Sequence, residues 1–197
     1  MSEQRSYPRH VRTDAGDIEF RLMTRADEAG VLAFARKLPT HDLLFLPRNI
    51  SQPKVLSAWI NEIERGAIVS LLAVKGGTVV GCGTLVCDPH SWSPHVGGIR
   101  MVVSQDVRGQ GVGRALSQET FAIALGAGLE KLTVQMTVDQ QAAIALFESL
   151  GFKAEALLRD HVRDVDGKKH DIVVLGHNVA QVRAQMEAYG LPGAVRN

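Results

Sequence analysis

The run Arg108-Gly109-Gln110-Gly111-Val112-Gly113 puts three glycines within five residues, between an apolar segment ending at Val103 and an amphipathic one beginning near Arg114. Glycine lets the backbone adopt left-handed conformations and approach a ligand closely. The amides from Gly109 to Arg114 can then turn inward together as an anion-binding nest. A helix that starts here adds about half a positive charge at its N-terminus. Arg108 and Arg114 supply side-chain charge, and a diphosphate is the natural ligand. A loop arginine is often merely solvated, but the place of Arg108 just before the glycines argues for anion contact.

Three phosphate-binding loops compete for this run. A Walker loop requires Gly-Lys-Ser/Thr, whereas Gly113 is followed by Arg114 and Ala115. A Rossmann turn requires G-x-G-x-x-G directly after a strand. Here the third glycine is misplaced and residues 104–108 intervene, although Asp139, at the end of the next strand, mimics a ribose-binding acid. The form R-x-x-G-x-G fits Arg108, Gly111 and Gly113.

Other chemistry-bearing residues are sparser. His95 precedes an apolar strand and could move a proton through water. The more ordinary reading is a histidine at a strand end. His41 and Asp42 read as a surface loop. Asp160, His161, His170 and Asp171 face a hairpin and either line a groove or pair across strands. No His or Cys spacing resembles a zinc site. Cys82 and Cys87 are the two cysteines, too few for a disulfide framework, which fits a reducing, cytoplasmic setting.

The elements that must position these residues follow from periodicity. Residues 1–16 read as a loose N-terminal tail. Ile18 to Leu22 alternates as a strand. Thr24 and Asp27 have capping-box spacing before a helix with a Val31, Leu32, Ala35 and Leu38 stripe. The apolar run Leu43-Leu44-Phe45-Leu46 has no clean period; it is a lid, a homodimer contact or core. A second helix starts at Pro53 and carries Leu56, Trp59, Ile60 and Ile63 on one face. Strands over 68–74 and 79–86 flank a Gly76-Gly77 turn, and a further strand spans 96–103. The glycine run opens a helix to about Gly126. A strand over 132–138 leads to Asp139, expected to cap a helix with an Ala143, Leu146, Phe147 and Leu150 stripe. Strands over 152–162 and 169–175 pair across Asp166-Gly167. A last helix near 179–189 reads as an appendage. The mixture of hairpins with one strand–helix–strand crossover predicts a single α/β or α+β domain with a mixed sheet.

Composition sets the bounds. The chain has 197 residues, 45% hydrophobic and 22% charged, enough for one sizeable core. Lys plus Arg number 22 against 21 Asp plus Glu, and no basic run exceeds Lys168-Lys169. That gives no support to nucleic-acid binding through phosphate neutralisation. No apolar stretch approaches the roughly 20 residues that span a bilayer. The polar N-terminus lacks the apolar segment of a secretory signal.

Taken in order, Met101-Val102-Val103, the loop Arg108 to Gly113, and Ala143, Leu146, Phe147, Gly151 and Phe152 resemble the GNAT superfamily of acetyl-CoA-dependent N-acyltransferases. The middle group matches its diphosphate signature and the last its A-x-x-L-Y-x-x-x-G-F signature, with Phe147 in place of Tyr. The resemblance covers Ile18 to Leu175. It implies a mixed, mostly antiparallel sheet flanked by helices, a GNAT domain over 17–177 and a helical extension over 178–197.

The resemblance also implies a site. Two adjacent strands splay, and the pantetheine arm of acetyl-CoA lies between them against backbone around Met101 and Val103. The diphosphate sits on the amides of Gly109, Gln110, Gly111, Val112, Gly113 and Arg114, next to Arg108. Gln140 takes the place of a frequent Asn that contacts the cofactor arm, and Phe147 lies at the cofactor too. The family's frequent glutamate base aligns with Gly97, which leaves His95 as the candidate base. Phe147 cannot protonate a leaving thiolate as the frequent Tyr does. The expected reaction is direct acetyl transfer to a primary amine. The two departures, the LFESLGF segment and the long polar hairpin resemble bacterial protein-lysine acetyltransferases that modify metabolic enzymes. The alternatives are a small-amine or amino-acid N-acetyltransferase, an acyl-CoA-binding regulatory module with little turnover, and a nucleotide-binding oxidoreductase.

Overall fold

The computed structural model describes residues 6–179. Eight strands form one sheet in the order β1-β2-β3-β4-β5-β6-β8-β7. They are β1 (Arg9–Thr13), β2 (Gly16–Leu22), β3 (Ile68–Lys75), β4 (Thr78–Val86), β5 (Val96–Val103), β6 (Lys131–Thr137), β7 (Lys153–Arg163) and β8 (Lys169–Asn178). Four helices accompany them: α1 (Glu28–Lys37), α2 (Pro53–Glu64), α3 (Val112–Gly126) and α4 (Gln141–Ser149). β5 and β6 pair in parallel and the other neighbours antiparallel. The exception has a topological cause: α3 carries the chain from the end of β5 back to the start of β6, and such a crossover makes its strands parallel.

Helices cover both faces, so the central strands are apolar on both sides. Leu72, Val74, Cys82 and Val102 pack with Val31, Phe34, Leu56 and Ile60 beneath α1 and α2. On the opposite face, Leu71, Ala73, Leu85 and Ile99 pack towards α3 and α4. Glycines let α3 lie flush on that second face. A Cβ at Gly83 would strike Thr120 Oγ1, and one at Gly97 would come within 2.5 Å of Leu129 and 3.0 Å of Leu85.

Three expectations are corrected. Residues 1–16 are not a loose tail throughout, because Arg9–Thr13 forms the edge strand and pairs with β2. Its alternation was masked by the charged residues that suit an edge. Tyr7 donates to Glu119 Oε2 at 3.0 Å, tying this segment to α3. Asp139 does not cap α4; the N-cap is Gln140, with no side-chain cap bond. β8 runs to Asn178, past the expected domain edge, and the expected helix beyond Val179 lies outside the described residues. No helix among the described residues is long and apolar enough to cross a membrane.

The capping box before α1 forms as its spacing requires. Thr24 N–H donates to Asp27 Oδ2 at 2.9 Å, and Arg21 reaches Asp27 Oδ1 at 2.7 Å. Burial pushes the Asp27 carboxyl up, but the Arg21 and Thr24 donors outweigh it and hold it below the usual carboxylate range. Its stabilising contribution is therefore complete above the unfolded value of about 3.9 and is lost as pH falls through the lower folded value. Asp27→Asn is expected to cost about 1.5–3 kcal/mol at neutral pH and to flatten the acid limb of stability. Melts from pH 6 to pH 2 check this; an unchanged acid limb would refute it.

Candidate active site

The β5–β6 ladder runs from Val96 opposite Lys131 to Ile99 opposite Val134 and stops there. Both strands continue, to Val103 and Thr137. The edge of β5 from Arg100 to Val103 therefore has no strand partner on the β6 side, and a wedge opens between the two strands. Met101 and Val103 lie along this edge. An extended chain with amide groups can complete such an edge as an added strand does.

The glycine run stands at the open end of the wedge. Gly109 and Gly111 have φ of +72° and +82°, and Gly111 is the N-cap of α3. Among the described residues, none of the backbone N–H groups from Gly109 to Arg114 donates a backbone hydrogen bond. The first donor of the helical ladder is Ala115, to the Gly111 carbonyl at 3.0 Å. A left-handed residue between right-handed neighbours aims successive N–H groups into one concavity. The loop thus has the donors and the helix terminus that a diphosphate needs, and the residues fit the cofactor arm and its phosphates.

The arginines beside the loop are already engaged. Arg108 donates from Nε at 3.2 Å and Nη2 at 3.0 Å to the Val103 carbonyl, and its Nη2 lies 2.6 Å from Asp42 Oδ2. Arg114 donates to Ser149 Oγ at 3.0 Å, joining α3 to α4. Gln110 Nε2 donates to the Asp106 carbonyl at 2.9 Å. Val112 is fully buried, so its contribution to an anion site is its backbone alone. Gln140 is half-buried where β6 leads into α4. Phe147 is turned into the core, 3% exposed and edge-on to Phe152 with ring centroids 5.2 Å apart.

The short turn Thr40–Leu43 straddles the wedge. Asp42 holds it to the glycine loop through Arg108, and His41 Nε2 lies 2.6 Å from Asp139 Oδ2 at the end of β6. His170 packs edge-on against His41 at 5.0 Å and lies 2.7 Å from Asp164 Oδ2. His41 and Asp42, expected as a surface loop, thus join Arg108, Asp139 and His170 in one clamp. The apolar run that follows roofs a cavity: Leu44 to Pro47 lie over Arg100, Gln135 and His161 in a space of about 230 Å³. A second cavity of about 380 Å³ extends under α2 and is lined by Leu46, Trp59, Cys82 and Arg100. Both lie on the α1–α2 face of the sheet.

His161 reaches the first cavity because β7 is irregular between Leu158 and Val162, with Asp160 at a φ of +51°. Asp160 N–H donates to Asp171 Oδ1 at 2.8 Å, fixing the bulge. His95 lies elsewhere, exposed in the turn before β5. Its carbonyl accepts from Glu130 and Lys131 N–H at 2.9 and 3.2 Å, at the end where β5 and β6 are still paired. Gly97 faces α3, so its position does not look into either cavity. Cys82 lines the second cavity, but burial pushes its thiol up to about 12, against a small lowering by Thr84. A thiol held protonated is a poor nucleophile.

Arg100 escaped sequence reasoning. It lines both cavities, and burial draws its guanidinium below its usual range, with no carboxylate among the described residues to compensate. The available signal was a single charge inside the apolar strand Ile99-Arg100-Met101.

Residues 37–152 match the Acetyltransferase (GNAT) family. The chain is 38% identical over 82 residues to an IAA acetyltransferase of Azospirillum brasilense, covering 42% of this chain and 52% of that protein. It is 32% identical over 74 residues to the [ribosomal protein bS18]-alanine N-acetyltransferase of Escherichia coli K12, covering 38% and 50%. These matches span about half the length of those relatives. Among solved structures, yncA of Salmonella typhimurium with its cofactor acetyl-CoA superposes with a TM-score of 0.70 at 18% identity, over 82% of this chain and 94% of that one. That likeness establishes the fold.

Proposed function

The chain belongs to the GNAT acetyltransferase family, and from that premise we propose that it moves the acetyl group of acetyl-CoA directly to a primary amine bound beneath Leu44–Pro47. The observation that carries this is the wedge beyond Ile99 and Val134, with free amide donors at its mouth and a roofed cavity on the other face of the same strand. Acetyl-CoA, when bound, supplies an activated acyl group on a thiol whose ordinary pKa near 8.5 lets it leave without an acid. The chain holds the diphosphate on the amides of Gly109 to Arg114 and lays the arm along Met101 and Val103, with Gln140 beside it. Transfer requires a neutral amine. An amine of pKa about 10.4 loses its proton at pH 7 at a cost of roughly 4.6 kcal/mol. His161, lining the cavity, is better sited than His95 to accept that proton through water.

The second cavity, mostly apolar, favours a small amine. A protein amine, at lysine or at a chain terminus, is the second reading, supported by the match to an enzyme whose name gives an alanine of a ribosomal protein as its acceptor. A regulatory module would bind acetyl-CoA without turnover. Calorimetric titration with acetyl-CoA and with NAD, followed by thiol release over a panel of amines and a protein-lysine screen, separates these. Acetyl-CoA binding and amine-dependent thiol release are expected; no acetyl-CoA binding by folded protein would refute the proposal.

His161→Ala is expected to lower kcat by about a hundredfold, the lower end for loss of a proton acceptor. His95→Ala is the comparison. A larger loss there than at His161 would return the base to His95.

A further inference from the structure

We infer that Arg100 recognises the acceptor, and that the acceptor is an apolar amino acid or close analogue with a carboxylate beside its amine. This rests on the acetyl-transfer reading above and names the substrate class for it. Arg100 is half-buried and lines both cavities, yet among the described residues its guanidinium has no hydrogen bond or ion pair. A guanidinium that gives up water without a partner is costly, and a bidentate carboxylate satisfies it in a way that neither a neutral nor a cationic group can.

The surroundings agree. Ser70, Thr84 and Arg100 stand in register across β3, β4 and β5 on one face. Ser70 Oγ lies 3.1 Å from Thr84 Oγ1 and accepts from Trp59 Nε1 at 3.1 Å. The two hydroxyls and the indole N–H thus satisfy one another, and Arg100 alone in this row is left to face a ligand. The other charges on the second cavity do not neutralise it: Arg48 adds to it, and Glu62 is held 3.0 Å from Arg65. A positively lined cavity repels polyamines. Ile50, Val55 and Trp59 form an apolar wall on which an aliphatic or aromatic side chain can rest. With the carboxylate on Arg100, the amine is directed along β5 towards the wedge. The N–C bond then forms at the acetyl carbon, the C–S bond breaks with its electron pair on sulfur, and the amine proton passes to solvent. The carboxylate is unchanged.

The test uses the full chain and matched pairs that differ only in the carboxylate: leucine with isoamylamine, and phenylalanine with phenethylamine. Thiol release from acetyl-CoA should favour the amino acid of each pair by about thirtyfold in kcat/KM, the scale of one charge-assisted pair. Arg100→Met should abolish that preference through KM, with kcat within about threefold, and Arg100→Lys should retain part of it. Equal use of both members by the native chain, or an equal loss for both in Arg100→Met, would overturn the inference. Acetyl-CoA affinity of each variant, by calorimetry, reports that it is folded; should Arg100→Met fail this, Arg100→Gln takes its place. A second readout is independent of turnover. Trp59 and Trp92 are the two tryptophans, so in Trp92→Phe the fluorescence reports the cavity wall. With CoA present, leucine should give a saturable change that isoamylamine does not, lost in Arg100→Met. That result without any thiol release would sustain Arg100 as a carboxylate site and refute acetyl transfer. No saturable change with either amino acid would overturn the inference whatever the turnover.

Discussion

Gly111→Val is expected to weaken acetyl-CoA binding about a hundred- to a thousandfold while the chain stays folded. Space is not the obstacle, because a Cβ at Gly111 would meet only Thr13 Cβ, at 3.7 Å. The obstacle is conformation. At a φ of +82° a β-branched residue is strongly disfavoured, so the loop relaxes to negative φ and its N–H groups turn apart. Two lost donors to an anion, at about 1.5–3 kcal/mol each, correspond to at least two decades of affinity. The strain is about 1–2 kcal/mol, small beside a typical folding stability of about 5–15 kcal/mol. Calorimetry with circular dichroism on the same samples decides the matter. Unchanged affinity in folded Gly111→Val would remove the diphosphate from this loop.

Gly97→Glu should produce the largest loss of stability of any change discussed, with no gain in rate. The family's frequent base aligns with this position, so the substitution looks like a restoration. In this fold the position faces α3. A Cβ there would come within 2.5 Å of Leu129, 3.0 Å of Leu85 and 3.1 Å of Leu132. Overpacking costs about 1–3 kcal/mol, and a carboxylate buried among leucines with no partner costs several more. A total above about 4 kcal/mol should lower Tm by more than about 10 °C for a chain of this size. Gly97→Ala, with the steric part alone, should lose less. A Gly97→Glu protein with native Tm and a raised rate would mean that this face of β5 looks into the acceptor cavity, contrary to the packing described above.

These outcomes turn on a division of labour across one sheet. The glycine run opens α3, which packs on the face reached by Gly83, Gly97 and Ile99. The two cavities lie on the opposite face, around Arg100 and Leu46. The wedge between β5 and β6 is where the two faces communicate, and the Thr40–Leu43 turn ties its two sides through Asp42–Arg108 and His41–Asp139.

The amino-acid sequence by itself determined the local parts. The glycine run, the capping box at Thr24 and Asp27, the hairpin turns and the stripe ending in Leu146, Phe147 and Leu150 express near-neighbour sterics and periodicity, which need no knowledge of what packs where. Those signals were enough for most of the strands and for the four helices. Arg9–Thr13 was missed because an edge strand buries too little to imprint a strong alternation. The proposed acceptor site was not legible for a different reason. Its members come from the roof at Leu44–Pro47, the middle of β5 and the bulge of β7, which meet only when the sheet order is fixed. Which face Gly97 and Arg100 take, whether Asp139 caps a helix or holds His41, and where His95 and His161 end up all depend on strand register and on one irregularity near Asp160. Contacts between residues about a hundred positions apart carry no sequence period, so the tertiary structure alone decided them.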